Sequence, residues 1–197
     1  MTNREVINGL KADFRAYMNG VASAAMRNAG MTADYRVNFG VELPRITAVK
    51  KDLEQRLELE PDADEAFRAR LAQELWHEAV RECRIIALMI YPKQRMDIEL
   101  ADIWADGIHT VELAQMAALH LFSKIPQASV AAFRWIAGED EMKQIIGFYT
   151  VFHLIRDGLL SDRSRDELSD QADVAASSDN HQLAGIATKV KGLLKSC

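Results

Sequence analysis

Apolar residues recur three and four positions apart along nearly the whole chain, and no stretch alternates at a period of two with β-branched residues. This pattern confines the fold to helices packed on helices. Ten glycines and four prolines among 197 residues leave few places for a sharp turn, and those places fall between periodic segments. Thr2-Asn3-Arg4-Glu5 fits a capping box, in which hydroxyl and carboxylate satisfy opposite orphan amides at a helix start. Val6, Leu10, Phe14, Tyr17 and Val21 carry that first helix on toward a stop at Gly30. Pro44 opens a second helix where its missing N–H costs nothing, with Ile46, Val49, Leu53 and Leu57 as the apolar stripe. Asp62-Ala63-Asp64-Glu65 starts a third, burying Phe67, Leu71 and Leu75. Cys83 to Tyr91 is apolar on every side and reads as a central buried helix ended by Pro92. The pattern predicts further helices over 96–105, 110–123, 126–137, 140–156, 162–175 and 179–195.

With 49% hydrophobic and 27% charged residues, the chain has the material for one domain over 1–197. Short links favour antiparallel neighbours, which fits either a bundle or a stack of helical hairpins, and periodicity does not choose between them. The formal charge of −5 gives no global pull toward nucleic acid, so a nucleic-acid site needs a local basic face. Two cysteines, Cys83 and Cys197, make no disulfide framework and point to a reducing compartment. The N-terminus is charged through its first turns and has no apolar signal core. No uncharged run approaches the roughly 20 residues that span a bilayer. A soluble, cytoplasmic protein with no membrane partner is expected.

No phosphate-cradling glycine loop, CxxC pair, HExxH or nucleophile elbow occurs. Glu74 with His77, and Asp106 with His109, have the spacing of one arm of a di-iron site, but that site also needs an inward glutamate from each of two other helices. Solvated faces and a capping Asp106 account for them more simply, and neither metal nor cofactor is expected. His120 and His153 read as boundary histidines and Cys83 as a small core residue. Arg45 with Lys50 and Lys51, Arg81 with Arg84, Lys93 with Arg95, and Lys189, Lys191 and Lys195 form modest basic groups. Stacked hairpins would let such groups converge along a phosphate backbone; the alternative is ordinary solvated faces.

Two segments carry a resemblance. Phe39-Gly40-Val41-Glu42-Leu43-Pro44 leads into the helix of Ile46, and further on come Glu74-Leu75-Trp76, Arg81-Glu82 and Ala87-Leu88. Arg134-Trp135-Ile136-Ala137 follows in turn. In order and spacing, over about residues 36–156, these resemble the AlkD-type DNA alkylation repair proteins, glycosylases built from HEAT-like helical repeats. The resemblance implies an all-α, HEAT-like stack, duplex DNA as partner, and excision of cationic alkylated purines. Such a base is already a charged leaving group, so the protein's work is to stabilise the positive sugar with a carboxylate and aromatic faces.

The family's tryptophan and carboxylates resemble Trp104-Ala105-Asp106-Gly107-Ile108-His109, with Ala105 and His109 in place of a second tryptophan and a second aspartate. Alignment back from Trp135 instead sets Asp106 at the aromatic position and Thr110 at the carboxylate. The family's arginine falls on Ile145, beside Lys143 and Gln144. The resemblance therefore makes Asp106 and Glu112 the candidate catalytic carboxylates, Glu112 sharing a helix face with His109. Trp104, His109, Arg45, Arg84, Lys93 and Lys143 become the candidate DNA contacts. Packing between helical layers is the other account of Trp76, Trp104 and Trp135. The functional alternative is a non-enzymatic helical module that binds DNA or a protein partner.

Overall fold

The first helix starts where the capping box places it: Glu5 N–H donates to the Thr2 hydroxyl, and Thr2 N–H to the Glu5 carboxylate. The computed structural model describes residues 2–31 and 33–195; Cys197 lies outside them. Among the described residues the chain is all-α, with helices α1 (Asn3–Ala16), α2 (Gly20–Asn28), α3 (Leu43–Glu58), α4 (Glu65–His77), α5 (Arg81–Ile90), α6 (Ile98–Asp106), α7 (Val111–His120), α8 (Ala128–Ile136), α9 (Glu141–Arg156), α10 (Asp162–Ala175) and α11 (His181–Leu194). Short 3₁₀ turns follow α5 and α7. Among the described residues, extended pairing is limited to one parallel bridge between Val37 and Val80. No helix among the described residues is long and apolar enough to cross a membrane. Packing divides the chain into two compact units, Met1–Arg95 and Met96–Cys197.

One sequence expectation fails early. The predicted first helix is two, because the backbone leaves helical geometry at Tyr17 and the Asn19 side chain accepts from Ala22 N–H to start α2. Tyr17 and Val21, expected on the buried stripe, are instead exposed. Asn19-Gly20 is a turn signal that the apolar spacing masked. Phe67, expected buried, is half-buried at the edge of α4.

In the first unit α4 and α5 pack as a pair joined by residues 78–80, with α1 and α3 laid against α5. Ile46, Val49, Leu53 and Leu57 are buried along α3, as their spacing requires. α5 is enclosed: Cys83, Ile85, Ile86, Ala87 and Leu88 are fully buried. Burial pushes the Cys83 thiol up to about 12, which keeps it protonated and fits a core residue.

α5 also buries a charge pair at its start. Arg81 is 1% exposed and Glu82 0%. The Glu82 carboxylate accepts from Phe39 N–H (3.3 Å) and Val41 N–H (3.2 Å), while Arg81 Nη1 donates to the Val41 carbonyl (2.9 Å) and lies 3.3 Å from Glu82 Oε1. Side chains thus supply part of the hydrogen bonding of segment 37–41, beside the backbone bonds of Val37 with Ala79 and Arg81 and of Phe39 with Asn19. Gly40 sits within it at φ +68°, and a Cβ there would lie 2.3 Å from the Asn19 carbonyl oxygen. The glycine and the Arg-Glu step of the sequence motifs are therefore two halves of one buried clasp.

In the second unit α9 is central, packed by α7, α8 and α11, with α10 against α11. Gly147 lets α8 come close: a Cβ would meet Ile136 Cγ1 at 2.7 Å and the Ala132 carbonyl oxygen at 2.8 Å. Asp97, Thr110, Asp140, Ser161 and Asn180 cap the helices that follow them. Thr110, not Asp106, caps α7; Asp106 is the last residue of α6.

Candidate nucleic-acid interface

The sequence-derived site residues fall into both units. Arg45, Arg84 and Lys93 belong to the first; Trp104, Asp106, His109, Glu112 and Lys143 belong to the second.

In the first unit, the three cations have different surroundings. Arg84 Nη1 lies 3.9 Å from Asp34 Oδ1, and its guanidinium sits 5.0 Å from the centroid of the buried Trp76 ring. Lys93 donates to the Met89 carbonyl (2.7 Å), finishing the C-terminus of α5. Both serve the fold. Arg45, by contrast, is exposed on the first turn of α3, and its guanidinium lies 4.4 Å from the centroid of the Tyr17 ring. No carboxylate pairs with Arg45 among the described residues.

Lys and Arg are in excess over the N-terminal stretch that holds Arg45 and Tyr17, although the whole first unit, Met1–Arg95, has 15 of them against 14 Asp and Glu. Residues 1–51 hold eight Lys and Arg against four Asp and Glu, whereas residues 96–197 hold nine against fifteen. Arg15, Arg27, Arg36 and Lys51 are exposed in this basic stretch. Tyr17, 45% exposed, adds an aromatic face beside cations, which suits nucleic acid. The signal was present in the sequence as a regional charge imbalance; the whole-chain charge of −5 conceals it.

In the second unit the structure brings Lys143 and Asp106 together, Nζ to Oδ1 at 2.6 Å. That contact satisfies Lys143 with a carboxylate rather than leaving it to a phosphate. Trp104 is 2% exposed, so its ring presents no open face to a base; this corrects its assignment as a DNA contact in favour of core packing. His109 precedes the Thr110 cap and so does not share a face of α7 with Glu112, a second correction. Burial, with Arg156 nearby, holds the His153 imidazole below its ordinary value, so near neutral pH it adds no cation. No group of three or more metal-ligating side chains occurs among the described residues.

Sequence reasoning missed Asp102. Its carboxylate accepts from Trp135 Nε1 (2.7 Å) and from Arg134 Nη1 (2.9 Å), so that α6 meets two consecutive residues of α8 with no spacing rule to announce it. It lines a cleft of about 280 Å³ with Arg134, Trp135, Gly138, Glu139, Asp140 and Lys143. Two donors fix the carboxylate, and a fixed anion beside a cleft can stabilise a developing positive charge. Trp135 itself is buried, its ring tilted against Phe122 at 4.9 Å.

A solved structure described as "A new family of proteins related to the HEAT-like repeat DNA glycosylases with affinity for branched DNA structures" is similar, with a TM-score of 0.76 and 18% identity. The match covers 98% of this chain and 76% of that one. No curated protein matches. The fold is thus a HEAT-like repeat fold of packed helical pairs, as the sequence motifs implied. The family model described as "DNA alkylation repair enzyme" matches residues 10–183, which take in the Gly40–Glu82 clasp and the Asp102–Trp135 contact alike: the chain belongs to the DNA alkylation repair enzyme family.

Proposed function

We propose that the protein binds DNA, holding the phosphate backbone on the cation-rich N-terminal stretch of its first unit, around Arg45 and Tyr17. The observation that carries this reading is the exposed Arg45–Tyr17 stack, at 4.4 Å, inside a stretch with twice as many cations as anions. An exposed guanidinium without a carboxylate partner loses little on exchanging water for phosphate, and the counterions released from DNA supply the driving force. The affinity for branched DNA in the similar protein's description supports the same partner class here. The test is fluorescence anisotropy with duplex and four-way-junction DNA across a salt series. Affinity is expected to fall steeply and linearly on a log–log plot; salt-insensitive or absent binding removes the reading.

Excision of an alkylated purine is the second reading, and the fixation of Asp102 favours it. The carboxylate would stabilise the cationic sugar as the glycosidic bond breaks, with no general acid needed for a leaving group already charged. The Asp102 carboxylate takes two side-chain donors, Trp135 Nε1 and Arg134 Nη1, where Asp106 takes the Lys143 ammonium. The burial of Trp104 and Trp135 weighs against it, since neither ring is free to stack on a base. On methylated duplex DNA, this reading expects released methylpurine to drop by about tenfold or more in an Asp102→Asn variant, the scale of one lost electrostatic contact in the transition state. Release no greater than a protein-free control would leave binding alone.

A further inference from the structure

The second unit has a cleft that the DNA reading does not use and that its charge turns away from DNA. It has a volume of about 480 Å³ and lies among the C-terminus of α8, the N-terminus of α9, the end of α10 and the start of α11. Ile136, Phe148 and Leu183 give it an apolar floor. Its charged lining residues are Glu139 and Glu141, with no cation among them. Glu141 is held in place by Asn180, whose Nδ2 donates to its Oε2 at 2.8 Å while Asn180 Oδ1 caps α11. Gln171 contributes a buried Oε1 that accepts no hydrogen bond.

These features specify an occupant. The volume is within the range of a formed ligand site, roughly 300–1,000 Å³. The floor takes an apolar side chain. The orphan acceptor calls for an N–H donor, since a buried acceptor left unpaired is costly. The two carboxylates call for cations, and no lysine or arginine lines the cleft to neutralise them. Val174, 77% exposed beside the cleft, extends the apolar contact outward.

We infer that this cleft docks a basic segment of a partner protein, in which a large apolar residue is flanked by lysine or arginine. The apolar side chain enters over Phe148, a backbone or side-chain N–H of the segment pairs with Gln171, and its cations meet Glu139 and Glu141. The inference is independent of the DNA reading, which rests on the first unit. Like-charge repulsion directs nucleic acid and this segment to different surfaces.

The experiment uses the full chain, isotope-labelled for amide NMR, titrated with a short synthetic peptide carrying one leucine flanked by lysine and arginine. Shifts are expected at Gln171, Ala175 and Ser177, and affinity is expected to weaken about tenfold or more when leucine becomes alanine or in a Glu139→Lys/Glu141→Lys variant. Ala175→Trp, which fills the cleft from its rim, is expected to abolish binding while the far-ultraviolet spectrum stays that of the wild type. No shifts at millimolar peptide, or shifts that survive both variants, would overturn the inference. So would duplex DNA shifting the same amides in place of the peptide.

Discussion

Replacing Glu82 with alanine is expected to cost about 3–5 kcal/mol of folding stability, the range for breaking a buried pair by removing one partner. The expectation follows from what the carboxylate touches. It is fully buried, faces the equally buried Arg81, and accepts from the Phe39 and Val41 amides. Alanine takes the carboxylate away from the buried Arg81, which keeps its bond to the Val41 carbonyl, and leaves two buried N–H groups without their acceptor. A double Arg81→Met/Glu82→Leu variant separates the two losses. If Glu82 served only as a partner for Arg81, the double variant would recover most of the stability. Because the two amides still need an acceptor, it is expected to remain destabilised by about 2 kcal/mol or more. Urea denaturation followed by circular dichroism measures both; a loss below about 1 kcal/mol in Glu82→Ala would contradict the clasp.

The second large effect concerns DNA. Reversing two charges on the basic surface, Arg15→Glu with Arg45→Glu, is expected to weaken binding by at least about tenfold and to lower the salt slope by about 2, one unit per lost phosphate contact. Both side chains are exposed, so the fold should hold. Lys143→Ala provides the contrast: its ammonium is already paired with Asp106, and its loss should change DNA affinity little. A surface pair of this kind contributes only about 0–1 kcal/mol to stability, so the contrast is not clouded by unfolding.

Much of the fold was legible because its determinants are local. Thr2 and Glu5 state a helix start within four residues, Pro44 states another, and the apolar residues of α5 on all sides announce a buried helix. The break at Tyr17–Asn19 was not legible from spacing, since Val6 to Val21 keep period across it; the Asn19 cap decides the matter. The motifs that carried the family resemblance have a structural meaning the sequence did not disclose. Gly40 and Arg81-Glu82 are distant in sequence and meet only when the segment before α3 lies on α5.

The candidate site was harder to read because its contacts are long-range. Nothing in the spacing joins Asp102 to Trp135 or Asp106 to Lys143. Cations chosen by clustering alone proved to have different tasks: Arg84 and Lys93 serve packing and a helix end, while Arg45 faces solvent over Tyr17. Which of these applies depends on where the neighbouring acceptors lie, and that is a property of the folded chain.

DNA is held by the cation-rich N-terminal stretch of the first unit and not by the acidic second unit. The most direct measurement is the anisotropy titration of labelled duplex and junction DNA with wild type, Arg15→Glu/Arg45→Glu and Lys143→Ala at several salt concentrations. The account predicts a steep salt slope for wild type and Lys143→Ala and a weaker, shallower response for the double reversal. Equal affinities and slopes for all three proteins would contradict it.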